Sequence, residues 1–464
     1  MKCHSIARAV VAPLIWCTAA SLAFAADAPP SAPRAQQGLR RYIYSLHPDG
    51  SQGAGAGEGQ RTRGENFYPD GKPKDLLDGL VVLDIDNGCS FVKRIPLPCL
   101  AGTYGGYGAR GIAGHTATKR IYYTFMLAYA KVGPKNRTIV GCVDVETDKV
   151  LWEALPGSVG AGNPVVSLDG RKLYVSNQTG PALVLNTADG SLLKTIKNAK
   201  SSHNAHRSPD GRYVYMGGDS TGTKIDTTTD EVVGTFPGLH WHFVVDRTGK
   251  WLYATWKGAM GPDPSQAEMT ATGTSFCAAK VYDAQTGQWR HSLRLPLLPG
   301  PRNDFPNMSH EGSFNPGGTR FWTQPCGGGV RGLTKDDDRC VDLGVATARK
   351  GGWNVLTEGD ITRDPPCVVK FVTCRSDPHS HGHALVSREG DLVFTGNGLA
   401  IDTKTYELKG TWKDAQGRWF QGTKFMQVNF RDGKVDWVGQ RHGVGWLYDV
   451  PALSEGKHEC NKNE

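Results

Sequence analysis

The chain has 464 residues, 59 of them Gly and 27 Pro, with 53 Lys and Arg against 45 Asp and Glu. The formal charge of +8 is mild for this length and gathers into no basic run, which argues against nucleic acid as a partner. The chain is too long for one unrepeated core, and many Gly and Pro with few charges fit short strands joined by turns.

From the N-terminus, Lys2 and Arg8 precede a mostly apolar stretch from Ala9 to Ala23, and Ala23-Phe24-Ala25 has the form of a cleavage site. This predicts a secretory signal over residues 1–25, a periplasmic or secreted protein, and no transmembrane segment in the mature chain. Cys3 and Cys17 leave with the signal, and in an oxidising compartment the other nine of the 11 cysteines favour disulfides. Cys89/Cys99, Cys326/Cys340 and Cys367/Cys374 are near enough in sequence to pair. Residues 26–40 are Pro- and Ala-rich and read as a disordered leader. A single domain follows over 41–455, with rim insertions at 48–78, 258–276 and 325–366, and 456–464 form a tail.

Within that domain one phrase recurs. Ser208-Pro209-Asp210-Gly211 precedes Arg212-Tyr213-Val214-Tyr215, and Ser167-Leu168-Asp169-Gly170 precedes Lys172-Leu173-Tyr174-Val175. Asp246-Arg247-Thr248-Gly249, Asn315-Pro316-Gly317-Gly318, Ser387-Arg388-Glu389-Gly390 and Arg431-Asp432-Gly433 are further copies, and Ala117-Thr118-Lys119-Arg120 is a degenerate one. Pro presets φ and Gly accepts positive φ, so such turns form at little cost. A second landmark starts at Asp84, Asp144, Asn186, Asp226, Asp283 and Asp402. Where nothing is inserted its period is about 40 residues, room for four short strands. Period-2 alternation, as at Tyr213 and Tyr215, agrees.

Repeated four-stranded units predict an all-β fold, a seven-bladed β-propeller of antiparallel blades, with both chain ends closing one blade; eight blades stay open. Lys172-Leu-Tyr-Val-Ser-Asn177 and Ser208 to Tyr215 resemble the YVTN-type bacterial β-propeller repeat. The layout is also similar to the heavy chain of bacterial amine dehydrogenases. That resemblance implies the fold and leaves catalysis, electron transfer and plain binding open.

Four of the 14 histidines fall at one point of the repeat. His203 and His310 lie eight residues before the turn glycine, and His242 and His383 lie seven before it. His240 shares a strand face with His242, and His381 with His383. Innermost strands line the channel of a propeller, so imidazoles at their heads would converge at one mouth. Such a cluster suits copper or another transition metal, with haem as the alternative. Candidate metal ligands are therefore His203, His240, His242, His310, His381 and His383. Asp304 and Glu311 are candidates to ligate, orient an imidazole or move protons. Channel-facing histidines are similar in placement to those of the nitrous oxide reductase propeller, the selenium-binding-protein group and a haem-binding nitrite reductase. No Cys-x-x-Cys-His is present, which excludes c-type haem attachment, and no Gly-rich strand-to-helix turn suggests a nucleotide.

The function expected is a metal-dependent oxidoreductase acting on a small molecule. The alternative is a non-catalytic scaffold that binds a protein partner or envelope ligand through rim loops.

Overall fold

The computed structural model describes residues 38–47, 79–98, 107–127, 137–156, 161–177, 180–199, 204–218, 221–239, 242–255, 275–296, 308–326, 338–346, 352–363, 367–376, 383–422 and 424–439. Among them there is no α-helix, and the sheets form a seven-bladed propeller. The expected signal (1–25), the rim loop 48–78 and the tail 456–464 lie outside the described residues.

Blade 1 contains Tyr107–His115, Arg120–Leu127, Arg137–Asp144 and Lys149–Ala154. Blade 2 contains Ala161–Val166, Lys172–Asn177, Ala182–Asn186 and Leu192–Ile196. Blade 3 contains Ala205–Arg207, Tyr213–Met216, Thr221–Asp226 and Glu231–Pro237. Blade 4 contains Phe243–Val245, Trp251–Ala254, Ser275–Asp283 and Trp289–Pro296. Blade 5 contains Met308–Phe314, Arg320–Cys326, Gly352–Asp360 and Cys367–Ser376, with Cys340–Ala346 added parallel to its outer strand. Blade 6 contains Ala384–Val386, Leu392–Thr395, Leu399–Asp402 and Leu408–Thr411. The first strands of these blades touch one another in turn, which makes them the inner wall of the ring.

Blade 7 is built from both chain ends. Its inner strand, Phe425–Arg431, pairs antiparallel with Leu39–His47, which is followed outward by Gly79–Asp84 and Ser90–Ile95. Arg41 bolts this blade to blade 6. Its guanidinium reaches Asp86 and Asp391 at 2.7 Å each and Glu389 at 3.4 Å.

The recurrent turns join first to second strands in blades 2 to 6, as expected, and Gly211 has φ 74°. Blade 1 uses a turn of the same length with Lys119 at φ 55° in place of a glycine. The copy at Arg431-Asp432-Gly433 behaves differently. It leads to Lys434–Val438, an extra strand on the channel side of Phe425–Arg431. Thr116 Oγ1 of blade 1 donates to Val438 O at 3.0 Å and accepts from Val438 N at 3.1 Å. Arg388 of blade 6 stacks 5.0 Å from the Trp437 ring, and Trp437 packs with Tyr253, Phe314 and Phe321 of blades 4 and 5. A strand that meets blades on opposite sides of a ring lies across its axis, so this one stoppers the turn end of the channel.

Three further expectations are corrected. Strand structure starts at Leu39 rather than Arg41. The stretch 325–366, read as a rim loop, contains Cys340–Ala346 and Gly352–Asp360, the latter being the third strand of blade 5. Among the described residues Cys89, Cys142, Cys367 and Cys374 are free thiols, so the Cys367/Cys374 pairing does not form; Cys99 lies outside those residues. Cys367 and Cys374 lie on one strand, and seven steps of about 3.3 Å keep them far beyond bridging distance. Burial pushes the Cys89, Cys142 and Cys374 thiols up to about 12, which makes them inert packing groups.

The second landmark works as an Asx turn. Asp226 Oδ1 accepts from the amides of Thr228 at 2.8 Å and Thr229 at 3.3 Å, and Asp402 Oδ1 accepts from Lys404 and Thr405 at 2.8 Å each. These backbone bonds, from Thr228 first and from Thr405 first, hold the two carboxyl groups below their ordinary 3.8. The unfolded chain binds those protons more readily. The turns therefore contribute fully above pH 3.8, and the contribution is lost as pH falls through the depressed folded values. The urea midpoint should drop on acidification below about pH 4, and less steeply in Asp226→Asn/Asp402→Asn, whose amide oxygens accept the same bonds without titrating. Arg41→Ala should cost roughly 1–3 kcal/mol by urea denaturation and should raise hydrogen exchange first in Leu39–His47.

Candidate functional site

Strand pairing fixes one position at the head of each inner strand. In blades 3, 4 and 6 it belongs to Asn204, His242 and His383, whose carbonyls accept from Gly217 N, Thr255 N and Gly396 N at 2.9–3.1 Å. In blade 7 it belongs to Lys424, whose carbonyl accepts from Leu46 N at 2.8 Å. In blade 2 it is Asn163, next to the paired Pro164, and in blade 5 it is Glu311, next to the paired Gly312. In blade 1 it is Gly111, after a bulge. A Cβ there would come within 2.5 Å of Asn163 Cα, so only glycine lets the two strand heads approach so closely.

The result is a ring of buried polar side chains at the heads of the inner strands. Asn163, Asn204, His242, His383 and Lys424 are each at most 1% exposed. Asn163 Nδ2 donates to Asn204 Oδ1 at 2.5 Å, and Asn204 Nδ2 lies 3.3 Å from His242 Nδ1. His242 and His383 belong to blades separated by blade 5, yet their ring centroids are 6.4 Å apart with the planes at 79°. Only side chains reaching in towards the axis can meet in this way.

The amide chain sets the tautomer of His242. Run from Asn163 through Asn204, it makes Nδ1 an acceptor and puts the proton on Nε2. With both amides turned over, His242 Nδ1 donates to Asn204 Oδ1 and Nε2 keeps its lone pair. The second arrangement is the one a metal-bound imidazole requires, with its other nitrogen donating to a fixed acceptor.

No family model matches this chain, and no curated protein matches it. Among solved structures it is similar to the hydrazine synthase of Kuenenia stuttgartiensis, at 16% identity over 63% of this chain and 75% of that one, with a TM-score of 0.43. We rest nothing on so distant a likeness; the blades themselves establish the propeller.

Of the residues singled out in the sequence, the fold brings together His242 and His383. Glu311 occupies the ring position of blade 5, between them in ring order, and His310 is one residue before it; both lie in Met308–Phe314, with side chains outside the described set. His203, His240, His381 and Asp304 also lie outside the described residues. The four histidines counted back from the turns do not share one register: Asn204 and Glu311 hold the positions matching His242 and His383. Among the described residues no three of His, Cys, Asp and Glu gather as metal ligands.

Two other described histidines, His115 and His206, serve packing. His115 bonds Thr118 Oγ1 at 3.1 Å and Leu168 O at 3.2 Å, and the His206 ring packs 4.9 Å from that of Phe243. Sequence reasoning missed Asn163, Asn204 and Lys424. Counting seven back from Gly170 and Gly211 reaches both asparagines. Lys424 has no such marker, because the second strand of its blade comes from the other end of the chain.

Asn204→Leu removes both bonds of the amide chain and leaves the Asn163 amide facing a hydrocarbon. Stability should fall by roughly 1–3 kcal/mol, read from the urea midpoint. Asn204→Asp keeps an acceptor for His242 and should move the His242 proton to Nδ1 in a nitrogen-15 NMR spectrum.

Proposed function

We propose that this protein is an exported propeller whose channel mouth binds a transition metal, copper first, through His242 and His383, and that it serves redox chemistry on a small molecule. The observation that carries the reading is the meeting of two buried imidazoles from non-adjacent blades. Their 6.4 Å separation matches two imidazoles bound in line to one ion, given a metal–nitrogen bond of about 2.0 Å and about 1.1 Å from nitrogen to ring centre. Two-imidazole coordination of that kind suits a soft, low-coordinate ion. Glu311 and His310 of the intervening strand are the nearest further ligand candidates in the ring order, with His203, His240 and His381 beyond them. Asp304 and Glu311 would carry protons.

A bound copper ion would supply one-electron chemistry and Lewis acidity. The chain's own contribution is geometric. Asn204, braced by Asn163, holds the His242 ring and its tautomer, and the strand Lys434–Val438 blocks the far end, so substrate and solvent reach the mouth from one side. Asn204 acts here as a positioning residue. Export is supported by Lys2, Arg8 and the Ala23-Phe24-Ala25 site.

Elemental analysis and an absorption spectrum of the purified periplasmic protein test this reading. About one metal ion per chain is expected, lost in His242→Ala and in His383→Ala and bound about 10–100-fold more weakly in Asn204→Leu. A Soret band would replace copper with haem at the same mouth. Protein free of both, which takes up no copper on titration, would leave the rim-loop scaffold as the function.

A further inference from the structure

At the middle of the third strand, five blades place a small or apolar residue opposite an aromatic ring. Val82, Cys142, Val184, Val281 and Ala400 face Tyr44, Tyr122, Tyr174, Tyr253 and Phe394. Blade 5 has Glu358 there, matched by Arg320 at 3.1 Å and by Tyr406 Oη at 2.6 Å. Blade 3 has Lys224, opposite Tyr215. The Lys224 ammonium lies 4.0 Å from the centre of the Tyr213 ring and donates to Ala284 O at 3.3 Å, and the Arg212 guanidinium lies 5.0 Å from the same ring. Among the described residues neither cation forms an ion pair.

The preceding interface shows what is missing. Between blades 2 and 3, Asp230 accepts from Tyr174 Oη at 2.5 Å and from Lys172 Nζ at 2.8 Å. Asp230 closes its turn through a bond from its amide to Asp226 O, and Gly287 closes the matching turn of blade 4 through a bond to Asp283 O. Between blades 3 and 4 the carboxylate is therefore replaced by a hydrogen atom. A cavity of about 300 Å³ lies at this junction, lined by Arg212, Tyr213, Tyr215, Lys224 and Gln285 and, on its turn side, by the Asp210 carboxylate among others. Burial, and then the neighbouring Arg212 charge, lower the affinity of Lys224 for its proton, and the opposing pull of Asp210 and Asp283 does not offset them.

We propose that this cleft binds a small oxyanion, a carboxylate or a phosphate, held by Lys224 and Arg212 where the neighbouring interface holds the Asp230 carboxylate. Two cations crowded over one tyrosine repel each other, and an anion between them relieves that repulsion while gaining charge-assisted hydrogen bonds. The site is at the turn end of the ring, away from the two histidines, and does not depend on metal binding.

Calorimetric titration of the full chain with inorganic phosphate and with malonate, at constant ionic strength in chloride, tests the site. Wild-type protein should bind at least one of the two, and which one identifies the oxyanion. Lys224→Val, the residue three other blades carry, should weaken binding at least about tenfold. Arg212→Ala, an exposed change that leaves the fold alone, should also weaken it. Absence of binding by wild type to either anion, or wild-type affinity in both Lys224→Val and Arg212→Ala, would overturn the proposal.

Discussion

Closure of the ring depends on the pairing of Leu39–His47 with Phe425–Arg431. Six blades are continuous in sequence, and the seventh exists only when strands nearly four hundred residues apart meet. Every other feature follows from that contact. It removes the two open sheet edges that a six-bladed arc would expose. It sets the curvature that aims the inner strand heads at a common axis. Arg41 reinforces it by tying the joined blade to Asp391 and Glu389 of blade 6.

The channel so formed is different at its two ends. At the turn end the strand Lys434–Val438 lies across it, with Trp437 packed among aromatic rings of blades 4 and 5. At the other end Asn163, Asn204, His242, His383 and Lys424 form a buried polar ring. Burying amides and imidazoles is costly unless each finds a partner, and the Asn163–Asn204–His242 chain shows how part of that cost is offset. A blade needs no polar group at this position; Gly111 fills it in blade 1. Retaining polar side chains around the rest of the mouth makes it the natural place for chemistry, whereas the stoppered end is built for stability.

Departures from the repeat mark the places where something other than packing is at stake. Tyrosine opposite a small apolar residue is the rule in the blades, and Lys224 breaks it. Asp230 bridges one interface with a carboxylate, and Gly287 leaves the next without that carboxylate. A repeat protein offers this comparison within a single chain, because each blade is a control for its neighbours.

How much of this was legible in the residues depends on whether the signal is local. Turn chemistry is local: Ser208-Pro209-Asp210-Gly211 specifies its own geometry, and the spacing of such turns specified four-stranded blades, their antiparallel order and closure by the two ends. Convergence of His242 and His383 was foreseen for the same reason, since position within a repeat maps onto position in a ring. Register is not local. One residue of offset separates His203 from Asn204 and His310 from Glu311, and only cross-strand hydrogen bonds decide which of each pair lies at the ring position. Tertiary structure alone also decided seven blades over eight, the free thiols of Cys367 and Cys374, the use of Arg431-Asp432-Gly433 to turn a strand across the channel, and the place of Lys424 in the mouth. Each of these depends on which distant segments pack together, and no short stretch of sequence carries that information.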